Sequence, residues 1–566
     1  KITLAWLLLL VFIVSMTLVV TVNNIFIFLA AWEIMSLVSY FLVVFDTKYE
    51  RSIQAGMIYV IMTHAGTAFL VAAFLIMYKY TGSFDFFAVK SACQAMPPDV
   101  KNMVFLFLLI GFGTKAGIVP LHIWLPYAHP QSPSHISSIM SGVMIKTAIY
   151  GMIRFVIFIL GVNSSWWGLS IVILAVITCL VGVIYALMEN DIKKLLAYSS
   201  IENIGIILLG IGLSMFFLAK ALPYLAILAL IAGLYHLINH AIFKGLLFLC
   251  AGSIYKATGT RDIEKLGGLI KKMPQTAVCF LLGVAAISAL PPLNGFVSEW
   301  LTLQAFFLGA LNTAGNSKFF LSMCAAILVL ASALAAACFV KAFGAAFLAI
   351  PRSRYAENAK EVSFSMKAGM FFLAGLTIVF GLAAVPIIRL LKKVACFAAA
   401  IDINGMEFSL NNFILSPRSG KDIYFSTPIF MFALAVFVFL AFGAYVWLDR
   451  RKVSVYKTWD CGYYKLDSRN EYTSTAFSKP FSIAFSFFLL PYHKTQKIRE
   501  SFYHVKSFAY EAHTTKVFKE YVYTPVVAIF FKSAKFMRRI QPGSIHLYLA
   551  YIFVAMLLLI IFMGKF

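Results

Sequence analysis

The chain has 566 residues, of which 61% are hydrophobic and only 12% charged, against roughly 25% charged in soluble domains. That balance excludes an ordinary soluble enzyme and a disordered chain. Lys and Arg number 47 against 23 Asp and Glu, a formal charge of +24; in a soluble protein this would suggest a nucleic-acid partner, but in a membrane protein it reports orientation, because cytoplasmic loops collect Lys and Arg.

The chain opens Lys1-Ile2-Thr3 and enters an apolar run directly, without the Met, basic region and small-residue cleavage site of a signal peptide, so we expect natural sequence ahead of Lys1. A membrane-crossing helix needs about 20 mostly apolar residues. Segments near 1–20, 22–45, 53–78, 101–127, 134–160, 166–188, 193–216, 222–252, 274–309, 319–350, 366–390, 425–448 and 545–563 meet that criterion, giving roughly thirteen spans, all helical. The fold class expected is therefore an all-α polytopic membrane protein. Alternation places the loops near 46–52, 189, 252, 351 and 449 on one side, and these carry Lys193, Lys194, Lys256, Arg261, Lys265, Lys271, Lys272, Arg352, Arg354, Lys360 and Arg450-Arg451-Lys452. The opposite loops near 161 and 312 carry almost none, so the basic side is cytoplasmic; the 391–424 loop, with Lys392, Lys393, Arg418 and Lys421, dissents mildly.

Six ionisable residues fall well inside these spans: Glu33, Lys115, Lys146, His236, His240 and Glu299. A charge at mid-bilayer costs about 2.5 to 3.5 kcal/mol on insertion scales, so a chain that keeps several uses or pairs them. Glu33 in FLAAWEIMSLVSY and Lys115 in LIGFGTKAGIVPLHIWLP lie in neighbouring spans; such a pair neutralises itself or, by separating, switches the protonation of the amine. Lys146, Tyr150 and Arg154 recur at i, i+4 and i+8 on one helical face. His236, His240 and Lys244 repeat that spacing, a titratable row about 12 Å long at 1.5 Å of rise per residue. Two His at i, i+4 can bind zinc, but the acid of an HExxH motif is absent, and a proton relay suits imidazole better.

Two of the spans are interrupted by proline. Pro120 and Pro126 break the one that carries Lys115, and Pro291, Pro292 and Gly295 break the one that carries Glu299. Broken helices in corresponding positions of two halves point to an internally repeated transporter with its site at mid-membrane. The halves expected are 1–160 and 166–350, followed by additional spans and a cytoplasmic loop at 366–480 and a last region at 481–566. There, Tyr492 to Arg539 interleaves apolar residues with Lys, Arg and His at loosely helical spacing, which predicts an amphipathic helix lying in the membrane interface, kinked at Pro525; a bent pair of surface helices is the alternative.

The eight cysteines (Cys93, Cys179, Cys250, Cys279, Cys324, Cys338, Cys396, Cys461) form no CxxC pair and no Cys/His cluster at metal spacing. We expect no cofactor or metal in this chain.

GTKAGIVPLHIWLPYAHPQSPSHISSIMSGVMIKTAIYG, DIKKLLAYSSIENIGII, YHLINHAIFKGLLFL and ALPPLNGFVSEW resemble the proton-translocating, antiporter-like subunits of complex I, cation/proton antiporter complexes and group 4 membrane hydrogenases. GTRDIEKLGGLIKKMP, TWDCGY and EYTSTAFSKPF look most like the hydrogenase-4 and formate hydrogenlyase branch. The resemblance implies two inverted five-helix repeats, a lateral amphipathic helix and a final transmembrane helix, with about three helices ahead of the first one here. It also implies a proton pathway in which Glu33 and Lys115 match the family's glutamate–lysine pair, Lys146 its central lysine, His236 and His240 its histidines, and Glu299 the terminal acid where other members have lysine. Lys244 extends that row; His122, His135, Tyr150, Arg154 and Lys341 are secondary candidates. The function implied is ion translocation, most directly of protons, in a redox-driven complex of the prokaryotic inner membrane, with a sodium/proton antiporter subunit or a quinone-linked complex I subunit as alternatives. Its partners would be other membrane subunits and a peripheral hydrogenase-type arm holding nickel–iron and iron–sulfur centres, with lipid around it and no nucleic acid.

Overall fold

A computed structural model describes residues 2–47, 49–401, 427–448, 459, 461–463, 465–499, 501, 504–538 and 543–563. The basic groups expected at Arg418, Lys421 and Arg450–Lys452 lie outside them. The chain divides into two compact units, Lys1–Lys479 and Pro480–Phe566.

The described residues of the first unit form helices and their connections. Its elements begin with α1 (Ile2–Thr21), α2 (Ile25–Val43), α3 (Glu50–Thr81), the short α4 (Phe86–Cys93), α5 (Pro98–Ala116), α6 (Leu125–Gln131), α7 (Ser134–Ile139) and α8 (Ile145–Gly151). They continue with α9 (Ser165–Met188), α10 (Ile192–Ala219), α11 (Pro223–Thr258), α12 (Leu269–Lys272), α13 (Pro274–Ile287) and α14 (Asn294–Asn312). Last come α15 (Asn316–Phe347), α16 (Arg354–Glu357), α17 (Phe364–Leu382), α18 (Ala384–Ala399) and α19 (Thr427–Leu448). Among the described residues of the chain, eleven helices are long and apolar enough to cross a bilayer. The two expected spans that fall outside that number are the proline-interrupted ones. At the first break α5 stops before Gly117, whose φ of 83° ends the helix, and α6 resumes at Leu125. At the second, α13 ends at Ile287 and α14 begins at Asn294.

The same cap-and-bridge arrangement occurs twice in the first unit. Asn24 caps α2 by accepting from the amides of Phe26 and Ile27 and forms a bridge with Asp85, the cap of α4. Asp191 caps α10 by accepting from the amides of Lys193 and Lys194 and forms a bridge with Asp262, the cap of the turn Ile263–Lys265. Short polar side chains at helix starts satisfy amides that have no partner within the helix. The order α2, α3, broken α5/α6 therefore recurs as α10, α11, broken α13/α14.

The core lies on α10, which is almost wholly buried. It packs most closely on α9, where a Cβ added at Gly182 would fall 2.4 Å from the backbone nitrogen of Glu202. Helix association in membranes depends on such small residues, since lipid supplies no hydrophobic drive. Of the loops expected on one side, those near 189, 252 and 351 meet at one end of the bundle. Arg352 donates to the carbonyls of Glu264, Ile263 and Ala345 and pairs with Glu471 at 3.1 Å. Ser474 and Thr475 pair with Asn190, and Ser478 donates to the Leu187 carbonyl at 2.8 Å. The EYTSTAFSKPF motif is thus a clasp on these loops.

The second unit corrects one expectation. Tyr492–Arg539 does not form a single amphipathic helix: Pro491–Arg499 (β1) and Val505–Thr514 (β2) make an antiparallel hairpin, and among the described residues helix is confined to 517–537, π-wound over Phe518–Tyr523 and continuing as α20 (Thr524–Met537). The reason lies in residue type. Thr, Ile, Val, Tyr and Phe favour a pleated surface, and the opposed pairs Tyr492–His513 and Lys497–Phe508 bring side chains into contact across the strands, with ring centroids 5.4 Å apart in the first and the ammonium 5.7 Å from the ring in the second. Pro525 lies inside the continuous helical stretch 517–537, where π winding has just given way to α winding. The final expected span is α21 (Ile545–Met563).

Candidate ion-translocation site

Lys115 is buried one residue before the end of α5. Its Nζ donates to Ser36 Oγ at 2.8 Å and to Tyr59 Oη at 2.9 Å, and Tyr59 in turn meets Ser39 at 2.5 Å. A helix C-terminus carries partial negative charge and so favours a cation there. Trp124, just past the break, donates to the Thr114 carbonyl at 2.8 Å, using an acceptor that the interrupted helix would have left free.

Glu33 does not touch Lys115 directly. Its Oε2 lies 3.4 Å from His64 Nε2 on α3, and its Oε1 is buried without a hydrogen-bond partner. Ser36, one turn further along α2, holds the Lys115 ammonium instead, and acid and amine remain within electrostatic reach of each other.

Lys146 follows a π-wound turn, Met140–Met144, and donates back to the Ser141 carbonyl. Ser141 meets Ser200 of α10 at 2.7 Å, and the adjacent Ser199 accepts from Lys244 of α11, which also donates to the Leu196 carbonyl at 2.9 Å. His236 and His240 stand one turn apart on α11, ring centroids 6.5 Å apart. His236 bonds Ser298 of α14 at 2.9 Å and Asn203 of α10 at 3.2 Å, while both ring nitrogens of the buried His240 lack a partner. Glu299, next to Ser298, accepts from Ser332 of α15 at 2.5 Å. Five helices therefore bring Lys146, Lys244, His236, His240 and Glu299 into one buried polar row.

The secondary candidates divide. Tyr150 stays on α8 one turn beyond Lys146, and Arg154, in the π-wound stretch that begins at Met152, lies within electrostatic reach of Tyr150, donates to Asn23 at 3.3 Å and stacks on Phe158. Lys341 donates to the Leu187 and Glu189 carbonyls at 2.6 and 2.8 Å, which closes the C-terminus of α9. His122 is buried beside the first break, whereas His135 is exposed.

Three titratable residues were missed in the sequence. Glu202 is buried in α10 with Oε2 unpartnered, within electrostatic reach of Lys244 and Glu299. His129 is buried between Trp124 and Phe248, with neither ring nitrogen bonded. His64 holds Glu33. Glu202 and His64 both stand inside expected spans, so a complete census of ionisable positions there finds them; His129 falls between the expected spans 101–127 and 134–160, on the short α6, where only the fold shows its burial. Among the described residues no three His, Cys, Asp or Glu gather as a metal site.

The family described as the transmembrane region of NADH:quinone oxidoreductase and Mrp antiporters matches residues 22–323. The chain belongs to this family. It is 37% identical over 561 residues to hydrogenase-4 component B of Escherichia coli, covering 97% of this chain and 82% of that protein. With formate hydrogenlyase subunit 3 of the same organism it shares 38% identity over 366 residues, 64% of this chain and 58% of that one. Among solved structures it is similar to a chain of the membrane-bound sulfane sulfur reductase, an archaeal respiratory complex, with a TM-score of 0.80 and 26% identity over 98% of this chain and 83% of that chain. It is accordingly a multi-pass, antiporter-like protein of the inner membrane.

Proposed function

We propose that this chain carries protons across the membrane as a non-catalytic subunit of a redox-driven complex of hydrogenase or formate hydrogenlyase type. The reading rests chiefly on the buried row from Lys146 through Lys244 and the His236/His240 pair to Glu299, because a membrane protein keeps so many ionisable groups away from water only where they are used or paired. Protons would enter from the basic cytoplasmic end and leave by way of Glu299. The unpartnered polar atoms of His129, His240 and Glu202 are places where ordered water would complete the row. Glu33, by approaching or leaving Lys115, would set whether that lysine holds its proton and so couple the row to the partners. Nickel–iron and iron–sulfur centres would reside on those partners, along with the redox chemistry.

The test is to isolate the complex through a tag on this chain, identify the subunits that copurify, and follow proton uptake into vesicles driven by reduced methyl viologen. Lys244→Met should lower uptake about a hundredfold or more, the scale of a lost positioned proton-transfer group, with viologen-driven turnover kept. Uptake should proceed equally without sodium. Strict sodium dependence would favour the antiporter alternative, and copurifying subunits without a nickel-binding large subunit would overturn the hydrogenase assignment.

A further inference from the structure

His64 lies at the lateral face of α3, with 47% of its side chain exposed and 29% of that of its partner Glu33. Its Nδ1 is 3.0 Å from the carbonyl oxygen of Val60, one turn earlier. A carbonyl only accepts, so Nδ1 carries a hydrogen and donates it. In the neutral ring the proton is then fixed on Nδ1, and Nε2 presents a lone pair. That same Nε2 faces Glu33 Oε2 at 3.4 Å. With the carboxylate ionised and the ring neutral, two lone pairs would oppose each other. The contact is attractive only when the pair holds one further proton, on Nε2 as imidazolium or on the carboxyl as the acid.

Other groups reach the carboxylate from the packed helices. Lys115 of α5 and Tyr59 of α3 are in electrostatic reach of Glu33, and α1, packed along α2, carries no ionisable residue between Ile2 and Thr21. Glu33 and Ser36 occupy i and i+3 on α2, positions whose side chains are neighbours on one helical face, and Ser36 holds the Lys115 ammonium at 2.8 Å. The path from His64 to the Ser36-bound Lys115 thus runs along one face of α2.

We propose that His64 is the alternative anchor of the Glu33 switch. A proton held between His64 and Glu33 keeps the carboxylate at the lateral face, and its loss frees Glu33 to turn to Lys115. His64 is thus a positioning residue acting through Glu33, and the inference rests on the translocation role proposed above. It also explains why the acid and the amine are found apart: the structure captures Glu33 in its anchored position.

The experiment uses the tagged complex in vesicles with reduced methyl viologen as donor, comparing His64→Gln and His64→Phe with Glu33→Gln and Lys115→Ala. Each His64 variant should lower protons moved per electron about tenfold, the scale of a lost coupling between sites, while turnover persists. Infrared difference spectra supply a readout that a merely structural histidine would leave alone: the carboxyl band that disappears in Glu33→Gln should shift in His64→Gln and His64→Phe. Loss of pumping in Glu33→Gln and Lys115→Ala, with pumping and the carboxyl band both unchanged in the His64 variants, overturns the anchor and leaves translocation standing. Full pumping in Glu33→Gln and Lys115→Ala overturns the translocation reading itself. A His64 variant that lowers only the yield of assembled complex, with ratio and band unmoved, also counts against the anchor.

Discussion

Replacing Lys115 with alanine is expected to abolish proton uptake while leaving methyl viologen-driven turnover of the complex near normal. The ammonium is held by two hydroxyls, Ser36 and Tyr59, and no carboxylate touches it, so the site can give up its proton without stranding an ionised partner. The truncation leaves those hydroxyls served: Tyr59 keeps Ser39, and Ser36 keeps its bond to the Trp32 carbonyl at 2.9 Å. Polar groups that retain a partner cost little when another is deleted, and the fold should survive. What disappears is a group that alternates between charged and neutral, and the loss should reach a hundredfold or so, the lower range for a positioned proton-transfer residue. Lys115→Arg sharpens the test, because guanidinium keeps the charge but does not deprotonate at any working pH. If alternation is what matters, arginine should fail as fully as alanine. Normal uptake with arginine would mean that Lys115 serves only as a fixed positive charge.

Much of this arrangement was legible in the sequence because membrane helices obey few rules. The apolar runs gave the spans, and the prolines at 120, 291 and 292 marked both breaks, since neither segment can continue a helix through them. The i, i+4 spacing of His236, His240 and Lys244 survives intact because α11 is a continuous α-helix from Pro223 to Thr258. The spacing from Lys146 to Arg154 does not show where the guanidinium ends: it donates to Asn23 and stacks on Phe158, and Asn23 is 131 residues away in the chain, a contact that only the fold creates. The pairing of Glu33 with Lys115 was read from two adjacent spans, which fixes neighbourhood but not which rotamer the acid adopts; His64 decides that, from a third helix. The stretch from 491 to 514 failed for another reason: its apolar residues fit both periods loosely, and cross-strand contacts such as Tyr492–His513 arise only once the hairpin has closed.

The second break offers the clearest structural test of how the site is held. Gly295 stands at the start of α14, one turn before Glu299, and a Cβ there would fall 1.9 Å from the carbonyl oxygen of Ala286 at the end of α13. The obstacle is backbone, which cannot swing aside as a side chain can, so the two half-helices must part to admit a methyl group. Gly295→Ala should therefore destabilise the protein by about 1 to 3 kcal/mol, the usual cost of overpacking a tight interior, and appear as a lowered Tm of the detergent-solubilised complex. Because Ser298 and Glu299 ride on the displaced helix, their bonds to His236 and Ser332 should loosen and proton uptake should fall with the Tm. Gly344→Ala is the matched control, since a Cβ at that position in α15 meets nothing within 4 Å and alanine is the better helix former. Its Tm should hold or rise. Equal Tm values for the two variants would show that the backbone at Gly295 yields without cost, and the break would then owe its geometry to Pro291 and Pro292 alone.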